Sequence, residues 1–244
     1  LKENSLYFAA LMVRNGLADG YVGGAVYTTR DVARSALACI GVNKEIGTMS
    51  SSFIMVLDKK EFGSGGILVY ADCGIVPDPS PRQLANIAIA SSNLIRDLFN
   101  VEPIVAMLSY STKGSAENPE SEKIHKAIEI VKRSRPSILI DGEMQVDAAI
   151  MPDIAQTKAP DSPVKGKANV LIFPNLAAGN IAYKLTQRLA GARALGPLLQ
   201  GLNVPCSDLS RGCSWEDVVD VVAVTSIRSC FEPNLLRNEN ISNK

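Results

Sequence analysis

The chain predicts an α/β fold with mostly parallel strands, and three features of its 244 residues lead there. Continuous apolar runs such as ILVYADC (67–73) and PIVAMLS (103–109) lack polar alternation, as strands buried on both faces do. Amphipathic stretches of helical period separate such runs. Strand alternating with helix calls for parallel pairing through right-handed crossovers.

In chain order, SLYFAALMVRN (5–15) reads as a helix closed by Gly16, and Asp19 to Val22 as a short buried strand. Gly23-Gly24 follows. Thr28-Thr29-Arg30-Asp31 then offers N-cap candidates for the helix VARSALACI. This glycine turn is not G-x-G-x-x-G, so it predicts no dinucleotide site. MSSSFIMVL (49–57) and 67–73 read as strands. Three prolines (77, 79, 81) punctuate a loop before the long helix RQLANIAIASSNLIRDLF. After strand 103–109 come the polar linker STKGSAENPE, the charged-faced helix EKIHKAIEIVKRS and the strand ILI (138–140). Residues 151–168 read as a long loop, of the kind that tends to be functional or mobile. NVLIF (169–173) reads as a strand and NLAAGNIAYKLTQRLAG as a helix.

Lys plus Arg balance Asp plus Glu, 25 against 25, so no global field recruits nucleic acid or an anionic membrane. An anionic substrate would need a local cluster of positive groups. Five cysteines without a C-x-x-C pair argue against a zinc site or disulfide framework and for a reducing, cytoplasmic compartment. The single histidine, His125, reads as a solvated surface residue and excludes a histidine-based metal cage or a Ser-His-Asp triad. No signal peptide is visible, and no apolar run reaches the ~18 residues of a membrane span.

The stretch GPLLQGLNVPCSDLSRGCSWEDVVDVVAVTS (196–226) gathers the chemistry. A short apolar strand at 197–200 passes into a loop of Gly, Pro and small polar residues. Ser214 and Asp217 are then spaced as a capping box opening an apolar helix. A hydroxyl, a guanidinium and a carboxylate (Ser210, Arg211, Asp217) thus collect at a helix start, where backbone N–H groups and the helix dipole favour an anion.

DLSRGCSWED, with DGEMQVDAA and KAPDSPVKGKANVLIFPNLAAGNIAYKLTQRLAGARALGPLLQGL upstream, resembles the phosphate acetyltransferases (phosphotransacetylases) of the phosphate acetyl/butyryltransferase family, over about residues 19–228. The resemblance implies reversible acetyl transfer between acetyl phosphate and coenzyme A, giving acetyl-CoA and phosphate. Coenzyme A is then a substrate, with no tightly bound cofactor and no metal. Asp217 takes the position of the base that removes the thiol proton. A free thiol has a pKa of about 8.5, so partial burial would improve an aspartate for this task. Ser210 and Arg211 would bind the carbonyl oxygen and the phosphoryl group, the guanidinium fork suiting phosphate. The resemblance also places GAVYTTRDVAR along the active site, with Thr28 and Thr29 beside substrate and Arg34 on its phosphate. Asn180 and Tyr183 of GNIAYK, three apart on one helix face, are further substrate-binding candidates. Each residue has a plainer reading: Asp217 as a cap, Ser210 as a turn hydroxyl, and Arg211 and Arg34 as surface arginines. Asn180 and Tyr183 could equally belong to a helix of mixed core and surface. Cys213, with no histidine near it in sequence, reads as a packing residue.

For the architecture, the resemblance implies two α/β/α domains enclosing an interdomain cleft, as in the isocitrate and isopropylmalate dehydrogenases. The first is discontinuous, 1–46 with 200–244, and the second is 47–199. It also implies a homodimer formed through the second domain. Leu1-Lys2-Glu3-Asn4 is an abrupt start and family members carry a further segment before it. The N-terminal part is therefore expected to be missing, and residues 1–244 alone to be weakly active or inactive. Two alternatives stand beside acetyl transfer: a phosphate butyryltransferase, and a non-catalytic acetyl-CoA-sensing domain like that at the C-terminus of some malic enzymes.

Overall fold

A computed structural model describes residues 4–116 and 119–232. Residues 1–3 and 233–244, which the expected first domain includes, and two residues of the polar linker lie outside the described residues. The fold is mixed α/β with mostly parallel strand pairing. The chain divides into two compact units, one of 1–51 with 195–244 and one of 52–194.

In the first unit, α1 (Ser5–Arg14) is capped by Asn4 and buries Leu6, Ala10 and Val13, one stripe at helical spacing. The strands β1 (Tyr21–Gly24), β8 (Cys206–Leu209) and β7 (Arg193–Gln200) lie in that order, β1 parallel and β7 antiparallel to β8. α2 (Thr29–Cys39) follows β1 and α8 (Trp215–Phe231) follows β8, both opened by complete capping boxes. α8 is fixed to the strands by a buried arginine. The Arg228 guanidinium donates to the carbonyls of Leu199 and Cys206 and, through Nε, to Glu232. Few charges are buried without such partners. Thr225 adds a hydroxyl contact with Ser207 at 2.7 Å.

In the second unit, β2 (Ser50–Val56) pairs antiparallel with β3 (Ile67–Ala71). β6 (Val170–Ile172), β4 (Ile104–Leu108) and β5 (Leu139–Met144) continue from β3, all parallel. α3 (Pro81–Phe99) starts on a Ser80–Gln83 capping box with Pro81 in its first turn, and ends at Asn100 in the left-handed region. It precedes β4, α4 (Pro119–Ser134) precedes β5, and α7 (Leu176–Leu189) follows β6. The core gathers Phe53, Met55, Tyr70, Met144, Leu171 and Phe173.

The strands at 49–57 and 67–73 form an antiparallel hairpin, because only a short glycine-rich loop joins them and a parallel pair needs a crossover of a dozen or more residues. Three expectations change. The expected loop at 151–168 opens with a helix, α6 (Pro152–Lys158), preceded by α5 (Val146–Ile150); Pro152 sits in its first turn, where a missing N–H does no harm. The expected loop after residue 200 contains β8. His125 is exposed but not merely solvated. Its Nε2 lies 2.5 Å from a carboxylate oxygen of the fully buried Glu143, which also accepts from Ser111 and the Gly114 N–H. Burial opposes ionisation of Glu143, and these hydrogen bonds outweigh it, so its carboxyl lies below the ordinary value.

Candidate active site

The site is built in the first unit where β1 and β8 end. Their register sets Tyr21 opposite Cys206 and Gly24 opposite Leu209. Parallel pairing brings both carboxyl ends to one edge, where open α/β sheets bind ligands. The Ala25 N–H donates to the Leu209 carbonyl at 3.0 Å and joins the two loops. The close approach demands glycine at 24: its φ is +102°, and a Cβ there would run into the backbone of Leu209 and stand 2.5 Å from Asp208 Oδ1.

On the β8 side, Ser210, Arg211 and Gly212 are exposed. Ser210 Oγ accepts from the Gly212 N–H at 3.3 Å, and the Ser210 carbonyl accepts from the Cys213 N–H at 3.0 Å. Arg211 has no hydrogen-bond partner among the described residues, so its fork is available to an anion. Asp217 is a cap in fact: its Oδ2 accepts from the Ser214 N–H at 2.8 Å while its own N–H donates to Ser214 Oγ at 3.2 Å. Its Oδ1 has no partner among the described residues, and the half-buried carboxylate can cap the helix and accept a proton at once. Cys213 is a free, half-exposed thiol.

On the β1 side, Thr28 caps α2. Its hydroxyl donates to Asp31 Oδ2 at 2.6 Å and accepts from the Asp31 N–H at 3.2 Å. The Thr28 hydroxyl and the Thr28 N–H, both donating to the carboxylate, hold the Asp31 carboxyl below its ordinary value. Arg34, further along α2, is exposed and has no hydrogen-bond partner among the described residues. Thr29, half-buried, donates its hydroxyl to Asp208 Oδ2 at 2.5 Å.

Asp208 is the residue that sequence reasoning passed over. It stands in the quoted DLSRGCSWED segment, but 201–209 read as a loop, and a carboxylate in a loop carries no signal. In the structure it is fully buried at the end of β8, and its Oδ1 has no hydrogen-bond partner among the described residues. Burial pushes its carboxyl from 3.8 to about 6, against the opposing hydrogen bond from Thr29. A carboxyl raised in the folded state stabilises the fold below its unfolded value and loses that contribution as pH rises through about 6. Asp208→Asn removes this dependence. The stability of the variant relative to the parent, read by urea titration, should therefore rise by up to roughly 3 kcal/mol between about pH 4 and about pH 7. Parallel curves would place Asp208 in contact with solvent.

Asn180 and Tyr183 lie in the second unit, on α7. Asn180 Nδ2 donates to the Cys73 carbonyl at 3.0 Å, and the residue lines a cavity of about 410 Å³ with Gly74, Pro77, Leu176 and Ala177. The Tyr183 ring stacks on Phe53, centroids 4.0 Å apart, against the core. The helix comes this close because residue 179 is glycine; a Cβ there would meet the Asp72 carbonyl oxygen. Among the described residues no group of three His, Cys, Asp or Glu side chains could hold a metal ion, and no helix is long and apolar enough to cross a membrane.

The chain is similar to known proteins over most of its length. The family model for phosphate acetyl/butaryl transferase matches residues 1–226. The phosphate acetyltransferase of Thermoanaerobacterium thermosaccharolyticum is 49% identical over 229 residues, covering 94% of this chain and 70% of the relative. That of Acetivibrio thermocellus is 51% identical over 229 residues, covering 94% and 69%. The crystal structure of a phosphotransacetylase from Streptococcus pyogenes superposes with a TM-score of 0.86 at 43% identity, over 92% of this chain and 67% of that one. With a family model spanning most of its length and relatives near half identical, this chain belongs to the phosphate acetyl/butaryl transferase family.

Proposed function

We propose that the protein catalyses reversible acetyl transfer between acetyl phosphate and coenzyme A. The observation that carries this reading is near-50% identity to phosphate acetyltransferases over 94% of the chain. A hydroxyl, a guanidinium and a carboxylate, those of Ser210, Arg211 and Asp217, follow the end of β8 and support this reading. Arg211 binds the phosphoryl group through its unoccupied fork, and the Ser210 hydroxyl donates to the carbonyl oxygen as negative charge develops there. Asp217 Oδ1 takes the thiol proton. The thiolate sulfur bonds to the carbonyl carbon, the carbon–oxygen bond to phosphate breaks, and the proton passes from Asp217 to the departing phosphate. Coenzyme A, acetyl phosphate and phosphate are the partners, with no tightly bound cofactor, and the compartment is the cytoplasm. Names of the relatives favour acetyl over butyryl transfer and over a non-catalytic sensor. Thioester absorbance, followed with acetyl phosphate and with butyryl phosphate, tests this. Thioester should form with both substrates present and faster with acetyl phosphate; a protein that binds coenzyme A without forming thioester would be a sensor.

Thr28, Thr29 and Arg34 complete the substrate contacts, and Asn180 and Tyr183 are further candidates on the second unit. Arg34→Ala should raise KM for coenzyme A or acetyl phosphate roughly tenfold, the worth of one charge-assisted contact, with an unchanged melting temperature. Unaltered kinetics would make it a surface arginine only.

The two units correspond to two domains, and the enzyme is a homodimer through the second. Support comes from α7, where Ile181, Leu185 and Leu189 recur every fourth residue and are 58%, 51% and 82% exposed. Ile181→Glu with Leu185→Glu should convert a dimer to a monomer by light scattering. A monomeric parent at micromolar concentration would remove the proposal.

A further inference from the structure

We infer that Asp208 is a positioning residue that fixes the Thr29 hydroxyl as a hydrogen-bond acceptor for the coenzyme A arm. The inference rests on the acetyl-transfer reading of the site and adds to it an assignment for the α2 side. Three observations support it. Thr29 Oγ1 lies 2.5 Å from Asp208 Oδ2, and a carboxylate can only accept in that contact, so the one hydroxyl proton of Thr29 points inward. Asp208 is fully buried, its other oxygen has no partner among the described residues, and Gly24 lies against that oxygen, so the carboxylate has no alternative donor among the described side chains. Thr29 itself is half-buried at the start of α2.

The consequence is chemical. A phosphoryl oxygen needs a donor, and the Thr29 hydroxyl has none left to give. What it can recognise is a group that brings its own hydrogen, and with the thiol proton committed to Asp217 that group is an amide N–H of the pantetheine arm. Asp208, ionised above about pH 6, enforces this polarity. Phosphate is thereby left to Arg211 and Arg34, and the α2 start is assigned to coenzyme A.

Steady-state kinetics with coenzyme A and acetyl phosphate varied independently test the assignment. Thr29→Val, which removes the hydroxyl at constant shape, should impair the coenzyme A side roughly tenfold, the net worth of one hydrogen bond, with KM for acetyl phosphate unchanged. The expected result is a raised KM for coenzyme A; a lowered kcat with KM for coenzyme A unchanged would overturn the inference. Thr29→Ser should stay close to the parent. Asp208→Ala, which frees the hydroxyl to rotate, should resemble Thr29→Val, and the double variant should be no worse than either. The Val and Ser pair retains the carboxylate and decides the matter even if Asp208→Ala does not fold. Parent kinetics in Thr29→Val, an equal rise in KM for acetyl phosphate, or a Thr29→Ser variant as impaired as Thr29→Val would each overturn the inference while leaving acetyl transfer intact. A parent protein that forms no thioester would overturn the acetyl-transfer reading first.

Discussion

Asp217→Asn should lower kcat by about 10²–10⁴, the usual contribution of a positioned base, in a protein that melts normally. The structure makes the expectation sharp because Asp217 has two separable tasks. Its Oδ2 accepts the Ser214 N–H, which an asparagine oxygen does nearly as well. Its Oδ1 is the free acceptor, and an amide there cannot take a proton. Ser214→Ala divides the tasks the other way. It removes the hydroxyl that accepts the Asp217 N–H and should lower stability by about 1 kcal/mol while leaving kcat near the parent value. If Asp217→Asn retains kcat and loses only stability, the carboxylate is a cap and the base lies elsewhere.

Arg211→Gln is expected to lower kcat/KM for acetyl phosphate by about 10²–10³, in the range seen when a group stabilising transition-state charge is removed. Stability should change by no more than about 0.5 kcal/mol, since the side chain is exposed and engages no described residue. Arg211→Lys should recover only part of the loss, because an ammonium keeps the charge and not the fork. A large fall in melting temperature with intact kinetics would mark Arg211 as a structural ion-pair partner.

The parts of this molecule that could be read from sequence are those with a local physical cause. The continuous apolar runs of β3 and β4 marked buried strands, the cap candidates at 28–31 marked the start of α2, and Ser214–Asp217 marked that of α8 as a capping box. What escaped depends on partners distant in the chain. β8 is four residues of cysteine, serine, aspartate and leucine, with no periodicity; it is a strand because β1 and β7 supply its hydrogen bonds. The Thr29–Asp208 contact joins residues 179 positions apart. His125 lay in a charged helix, and nothing local announced that a buried glutamate would meet it. The strands β2 and β3 were legible, while their antiparallel pairing follows from the short glycine-rich loop between them. For the site, the motif residues came from the resemblance, since a capping box by itself predicts only a helix start.

Direct attack of the coenzyme A thiolate on acetyl phosphate is the centre of the functional reading, and isotope exchange tests it most directly. The purified enzyme is incubated with acetyl phosphate and labelled phosphate, with and without coenzyme A. Direct transfer predicts label in acetyl phosphate only when coenzyme A is present, because phosphate can re-enter only through acetyl-CoA. Exchange at a comparable rate without coenzyme A would require an acetylated enzyme group, with the free thiol of Cys213 the first candidate, and would contradict the mechanism assigned to Ser210, Arg211 and Asp217.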